Sequence, residues 1–197
     1  VVKANAYGFG TIEIVKALVK KGCDFFYVAH FEEAIELRKK LQLNNFKIAA
    51  FEGMIHEAND YKAYRIIPIL NNLVQLNKLN QYNNQNPTKP LKGILNFDTG
   101  MNRLGFEEKE ILKINSNYKI VNSQNIIFLM SHLSNANVNT SIENNIQLNK
   151  VKNFSKNFKG IKLSLSNTNG ILLGKNFVLD QTRPGIGIYG LDANGNQ

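Results

Sequence analysis

The 197-residue chain contains one cysteine, Cys23, and no tryptophan. A single thiol builds no disulfide framework, so the fold must rest on an apolar core, and a reducing compartment is the natural setting. Cys23 follows Gly22 and precedes the run Phe25-Phe26-Tyr27-Val28, which reads as a buried small hydrophobe rather than a nucleophile. No run approaches the roughly 20 apolar residues that span a bilayer, and no basic segment leads into an apolar one as in a signal peptide. A cytoplasmic protein without a membrane partner is expected; the start on strand-like residues without Met leaves the question of a leader open. Acidic residues are outnumbered, 15 to 24, giving a formal net charge of +9. Such an excess can serve nucleic acid, but Lys16, Lys20, Lys39, Lys47, Lys78, Lys113 and Lys152 are spread singly over helical patterns. The pairs Lys20-Lys21 and Lys39-Lys40 fall at helix ends, where they complement the helix dipole. The expectation is a solvated basic surface and no nucleic-acid partner. No His, Cys or carboxylate grouping has metal-ligand spacing, so no metal is expected, and His30 and His56 read as structural or surface residues.

What the chain does have is alternation. Val1-Val2 is followed by a helical pattern from Thr11, read as its cap, with Ile12, Val15, Leu18 and Val19 on one face and Gly22 closing it. Phe25 to Ala29 reads as a strand, then Phe31 to Lys40 as a helix, acidic first and basic last. Lys47 to Phe51 is a strand, His56 to Tyr64 a weaker helix, Ile66 to Leu70 a strand, and Leu73, Leu76, Leu79 and Tyr82 mark a helix. Asn83 to Pro90 is the one linker-like stretch, expected to be an exposed loop. Strands follow at Gly93 to Phe97, Ile126 to Met130, Lys162 to Leu165 and from Phe177 to Leu179, with helices over Glu108 to Ile114, Ile142 to Phe158 and a short one capped by Asn167 and Thr168. Strands alternating with helices mean a parallel sheet. Eight strand segments with short connections favour a closed (β/α)8 barrel spanning residues 1–197, truncated at both ends, its first strand and last helix incomplete.

In such barrels functional groups collect where the strands end. Lys3 stands at the first such end, before a turn containing Gly8 and Gly10 and a helix start. That setting suits a lysine forming a Schiff base with a phosphorylated aldehyde cofactor, with backbone N–H groups and Tyr7 toward the phosphate. A surface lysine before an ordinary βα turn, and a Tyr7 that merely packs, remain the plainer readings of these ten residues. At later strand ends stand Arg103, His132, Thr168 and Arg183; His132 alone also reads as a satisfied strand-end histidine.

Val1-Val2-Lys3-Ala4-Asn5-Ala6-Tyr7-Gly8-Phe9-Gly10 resembles the cofactor-lysine motif of alanine racemases, V-V-K-A-N-A-Y-G-H-G, with Phe9 in place of histidine. Asp98-Thr99-Gly100-Met101-Asn102-Arg103-Leu104-Gly105 is similar to the family's D-T-G-M-x-R-L-G. Ser131-His132-Leu133 matches the segment whose histidine lies against the cofactor ring, and Ser166-Asn167-Thr168 corresponds to a phosphate-binding N-S segment with threonine for serine. Arg183-Pro184-Gly185-Ile186-Gly187-Ile188-Tyr189-Gly190 follows R-P-G-I-x-x-Y-G. The resemblance implies a pyridoxal 5'-phosphate barrel interconverting L- and D-alanine for cell-wall peptidoglycan, homodimeric in full length, with a β-rich domain after the barrel. It assigns Lys3 as cofactor amine and catalytic base, Arg103 to the cofactor phenol oxygen and substrate carboxylate, Arg183 to the pyridine nitrogen, and Tyr7, Asn167, Thr168, Gly185 and Ile186 to the phosphate region. It also implies a second base, a tyrosine from the C-terminal domain of the partner subunit, so this stretch alone is expected to bind cofactor but racemise poorly. Many members carry a carbamylated lysine where Asn96 stands, so Arg103 lacks that negative partner; Asn96 itself or a bound anion is expected to orient it. Two rival readings stay open, a non-catalytic cofactor-binding barrel and a racemase or decarboxylase of another amino acid.

Overall fold

A computed structural model describes residues 1–42, 45–117, 121 and 123–191. Six strands form one parallel sheet in sequential order: β1 (Phe25–Val28), β2 (Lys47–Ala50), β3 (Ile66–Leu70), β4 (Gly93–Asn96), β5 (Ile126–Met130) and β6 (Lys162–Ser164). Every neighbouring pair is parallel, and each crossover is covered by helix, as expected from the alternating pattern. The main helices are Thr11–Lys20, Phe31–Leu41, Leu73–Gln85, Glu108–Ser116 and Ile142–Ser155.

The period-2 side-chain alternation splits the strands between two cores. Phe26, Val28, Ile48, Ala50, Leu70, Leu95 and Leu129 pack outward against Val15, Leu37, Tyr61, Leu76, Leu79 and Ile111 of the helices. Tyr27, Ala49, Ile69, Ile94 and Met130 point the other way and fill the barrel interior. The sheet edges are joined by the chain ends of the ring. Val2 N–H donates to the Tyr27 carbonyl of β1 at 2.8 Å, the Val1 nitrogen to Pro184 O at 2.8 Å, and Gln181 N–H to Leu163 O of β6 at 3.1 Å. Six strands and two extended segments thus make a barrel of the (β/α)8 type.

Several local expectations change. The segment expected to open an eighth strand at Phe177 instead finishes a 3-10 turn over Lys175–Phe177, and only Gln181 forms a bridge, to Ser164. Side chains do the joining there: Ser164 Oγ donates to Gln181 O at 2.8 Å and Ser166 Oγ to Phe177 O at 2.7 Å, so a sheet ladder is not required. Thr11 is not a cap but the first helical residue. Its N–H is taken by Asn5 Oδ1 at 2.9 Å, because the preceding turn brings that amide over the helix start. Asn83 is buried rather than part of an exposed linker, because its amide binds both Leu91 N–H (2.7 Å) and Leu91 O (3.1 Å). Cys23 is exposed, not buried: the helix ends before Gly22, whose φ of 89° turns the chain so that Cys23 precedes β1 rather than joining it. Among the described residues no helix is long and apolar enough to cross a membrane.

Candidate active site

The C-terminal ends of the strands open into a cavity of about 730 Å³. Lys3, Tyr7, Arg103, His132, Asn167, Thr168, Arg183, Gly185 and Ile186 all line it, so every motif residue singled out in the sequence meets at one place. A second hollow, about 680 Å³, lies at the opposite end and is lined by the strand starts Phe25, Lys47, Ile126 and Lys162; none of the nine motif residues that line the first cavity reaches it.

Lys3 and Tyr7 reach the cavity from an unusual turn. Ala4, Asn5, Ala6 and Tyr7 have φ of 51°, 52°, 53° and 56°, one turn of left-handed helix in non-glycine residues. Each such residue costs about 1–2 kcal/mol relative to the right-handed form. Its ends are tied down: Ala4 N–H donates to Glu33 Oε1 at 2.7 Å, Ala6 N–H to Val2 O at 3.1 Å, and Gly8 N–H to Ala4 O at 3.0 Å. Phe9, which stands where the resembled motif has histidine, stacks on Tyr189 with ring centroids 4.7 Å apart.

Arg103 is carried by a loop whose shape follows from its sequence. Asp98 Oδ1 accepts three backbone N–H groups, from Gly100 and Met101 at 2.9 Å and Asn102 at 3.1 Å. The loop returns through Phe106 N–H to Asn96 O at 2.8 Å, and at Gly105 (φ 124°) a side chain would lie 2.7 Å from Asp98 N. Arg103 itself is exposed and makes no hydrogen bond or ion pair with a described residue. Asn96 does not orient it: the Asn96 amide is turned toward Asn71, donating to its Oδ1 at 2.8 Å, while Asn71 donates to Phe51 O and Ile69 O.

Arg183 is buried at the cavity floor. Its guanidinium donates to Ser164 Oγ, to Ser131 O and to Leu165 O, the last at 3.2 Å, and no described carboxylate faces it. Burial lowers its pKa to about 10, which still leaves it cationic at neutral pH. His132 is held down to about 3, first by burial and then by the cations Arg183, Arg103 and Lys3, so its imidazole is neutral. Asn167 Nδ2 lies 3.4 Å from His132 Nε2, while Asn167 Oδ1 caps the short helix Thr168–Leu172 through Gly170 N–H at 2.9 Å.

Thr168 closes the other wall. Its Oγ1 accepts from Gly185 N–H and Gly187 N–H, both at 3.1 Å. A hydroxyl has two lone pairs and one proton, so this leaves the O–H to donate. The Gly185 amide is thereby committed to Thr168 rather than free for a phosphate. At Gly185 a side-chain carbon would lie 2.2 Å from Tyr7 Oη, so the wall depends on there being none. Tyr7 is itself pushed to a higher pKa by burial, which keeps its phenol protonated and a donor.

The interior also holds residues that sequence motifs did not mark. Gln147, buried on the helix Ile142–Ser155, donates to Thr99 Oγ1 (3.2 Å) and His132 O (2.9 Å) and accepts from Ser134 N–H at 2.9 Å. It fastens the Arg103 loop to the His132 segment. Thr99 Oγ1 also meets Ser131 Oγ at 2.7 Å. His30, read as structural or surface, lines the cavity mouth, and its Nδ1 pairs with Glu52 Oε2 at 2.9 Å. Sequence spacing showed no metal grouping, yet Glu32, Glu52 and His56 bring ligand atoms within 4.8 Å. Glu52 also accepts from Phe31 N–H at 2.5 Å, whereas His56 Nε2 lies 3.2 Å from Glu32 Oε1 without forming a hydrogen bond.

The fold and this cleft define a parallel α/β barrel with a lysine, two arginines, a neutral imidazole and a hydroxyl-lined wall at its strand ends. The chain belongs to the family described as alanine racemase, N-terminal domain, whose model matches residues 1–193. It is 37% identical over 194 residues to an alanine racemase of Rickettsia prowazekii, covering 98% of this chain and 48% of that protein. Against an alanine racemase of Rickettsia canadensis the identity is 39% over 193 residues, covering 98% and 54%. The chain thus spans about half the length of these relatives. Among solved structures, alanine racemase from Bartonella henselae with covalently bound pyridoxal phosphate superposes with a TM-score of 0.89 at 36% identity, over 100% of this chain and 57% of that one. Alanine racemase from Acinetobacter baumannii gives 0.82 at 28%, over 98% and 56%.

Proposed function

We propose that this chain is the cofactor-binding barrel of a pyridoxal-phosphate-dependent alanine racemase, which interconverts L- and D-alanine in the cytoplasm for peptidoglycan and works as a homodimer in full length. The observation that carries the reading is the convergence of Lys3, Tyr7, Arg103, His132, Thr168 and Arg183 on one strand-end cavity. The donor set fits the cofactor. Thr168 keeps a proton to donate, Tyr7 stands against a glycine wall that a side chain would fill, and Lys3 offers a primary amine to an aldehyde.

Pyridoxal phosphate, when bound, supplies the electron sink for the pair released from an amino acid's α-C–H bond. Lys3 would hold the cofactor and exchange the α-proton from one face. Tyr7, Thr168 and Ile186 would hold the phosphate, and Arg103 the substrate carboxylate. Arg183 stays charged and cannot readily hand over a proton, so it would donate to the ring nitrogen without protonating it. That weakens the sink and favours plain proton removal and return over transamination. His132, neutral and packed beside Asn167, would lie against the ring without competing for the proton.

The test is to incubate the protein with pyridoxal phosphate and each of a panel of amino acids in D2O. α-Deuterium should enter alanine ahead of the others, by proton NMR, and exchange should vanish in Lys3→Ala. Cofactor attachment without α-exchange in any amino acid would favour the non-catalytic barrel, and preferential exchange in another amino acid would move the substrate assignment.

A further inference from the structure

The lysine turn leans on a residue that belongs to a different βα unit. Glu33, in the first turn of the helix Phe31–Leu41, accepts Ala4 N–H on Oε1 at 2.7 Å. Its other oxygen accepts Ala29 N–H at 2.7 Å and His30 N–H at 3.2 Å. One carboxylate thus spans the amide next to Lys3 and the loop after β1, the strand that Val2 also pairs with.

We propose that Glu33 is a positioning residue for Lys3: its carboxylate clamps the entry of the left-handed turn and so fixes the direction from which the Lys3 amine enters the cavity. The inference rests on the cofactor reading of that cavity. Two features make the clamp more than an ordinary helix-start contact. Three N–H donors converge on it, a demand that a carboxylate meets and an amide cannot, since an amide would aim its own NH₂ at one set of donors. Moreover the turn it holds is one the chain does not favour by itself, with four non-glycine residues at positive φ, and such conformations persist only where surroundings over-determine them. The other tie, Asn5 Oδ1 to Thr11 N–H, holds the turn to the helix that follows, not to the sheet. Among the described residues Glu33 alone couples the residue after Lys3 to the loop that follows β1 through a side chain.

The consequence is a separation of effects. Loss of the carboxylate should leave the barrel standing but spread the Lys3 amine over several directions. Glu33→Gln is the first variant; the second leaves Glu33 intact and replaces the Lys3–Ala4 amide with an ester by placing lactate at position 4, which deletes only the N–H. Each is treated with pyridoxal phosphate over a pH series, reduced with borohydride, and digested so that the fraction of label on Lys3 is counted against surface lysines. Hydrogen exchange and thermal melting are recorded alongside. Losing a hydrogen bond to a charged group from a partly exposed position should lower the Lys3 fraction roughly three- to tenfold in both variants, with a changed pH profile. Exchange at Asn5 and Ala6 should rise while the strands stay protected. If Glu33→Gln lowers the melting temperature but leaves the Lys3 fraction and its pH profile at the unmodified level, or if the ester variant labels like the amide, the positioning role is overturned. Absence of Lys3 label in the unmodified protein would instead count against the cofactor reading itself.

Discussion

Lys3 and Tyr7 bracket a single left-handed turn and face the same cavity, the amine from one end of the turn and the phenol from the other. Ala4, between them, is exposed at φ 51°, so its methyl group adds strain without adding packing. Ala4→Gly is therefore expected to stabilise the fold by about 0.5–1 kcal/mol, the relief of left-handed strain outweighing the extra freedom of the unfolded chain. A urea midpoint that rises, with Lys3 labelling retained, is the expected result; a lower midpoint would mean the turn carries no such strain.

The contact of Tyr7 with Gly185 gives a second expectation. A methyl group at position 185 would sit 2.2 Å from the phenol oxygen, and the half-buried ring must swing aside to admit it. Gly185→Ala should leave the melting temperature within a few degrees yet weaken pyridoxal phosphate about tenfold, a loss of about 1.4 kcal/mol. Tyr7→Phe in the same chain removes the nearest atom and should reduce the penalty of the alanine, as read from a double-mutant cycle on the dissociation constant.

Gln147 joins the Arg103 loop to the His132 segment, a link that neither motif explains. Gln147→Leu keeps much of the volume but strands Ser134 N–H and His132 O and leaves Thr99 Oγ1 with Ser131 Oγ alone, at a cost of about 2–3 kcal/mol in chemical denaturation. Gln147→Glu would still accept from Ser134 but would set a carboxylate against the His132 carbonyl, so it should not restore stability. Full recovery with glutamate would show that the two donor bonds contribute nothing.

The depressed pKa of His132, about 3 against an ordinary 6.5, has a definite sign in stability. Between those values the unfolded chain binds a proton that the folded chain refuses. The stabilising difference is complete above about pH 6.5 and is lost as the pH falls toward 3, by up to about 1.4 kcal/mol per unit. His132→Asn should flatten that limb in urea titrations of the cofactor-free protein at pH 4, 5, 6 and 7. An unchanged slope would place the imidazole in water.

Arg183→Glu looks, from chemistry alone, like a clean way to protonate the ring nitrogen. The structure changes the expectation: the replaced guanidinium donates to Ser131 O and Leu165 O, and a carboxylate would face both carbonyls inside the barrel. The variant should lose several kcal/mol of stability before any effect on reaction partition can be read. Normal folding of Arg183→Glu would contradict the described hydrogen bonds.

Much of this site was legible because its parts are local. Lys3 and His132 stand at or just past the end of a short apolar run and Arg183 opens an Arg-Pro-Gly turn, and a barrel brings strand ends together whatever lies between. Asp98 and Gly105 could be read as a shaped loop for the same reason. The contacts that were missed are those whose partners are distant in sequence. Glu33 looks like an ordinary acidic first-turn residue, and Gln147 like a polar residue on an unremarkable helix; only the folded barrel shows what they hold. The left-handed turn at Ala4–Tyr7 runs against residue preference, since alanine does not advertise positive φ. Strand propensity overstated Phe177–Leu179: Ser166 Oγ takes the Phe177 carbonyl, and the chain rejoins β6 only at Gln181, whose carbonyl accepts from Ser164 Oγ.

The most direct measurement is the location of the covalent cofactor. The protein is loaded with pyridoxal phosphate, reduced, digested and sequenced by mass spectrometry, with Lys3→Ala as the parallel sample. The account requires one dominant adduct on Lys3, protected by excess inorganic phosphate and absent from Lys3→Ala. Label scattered over surface lysines such as Lys16, Lys39 and Lys152, equal in both samples, would contradict it.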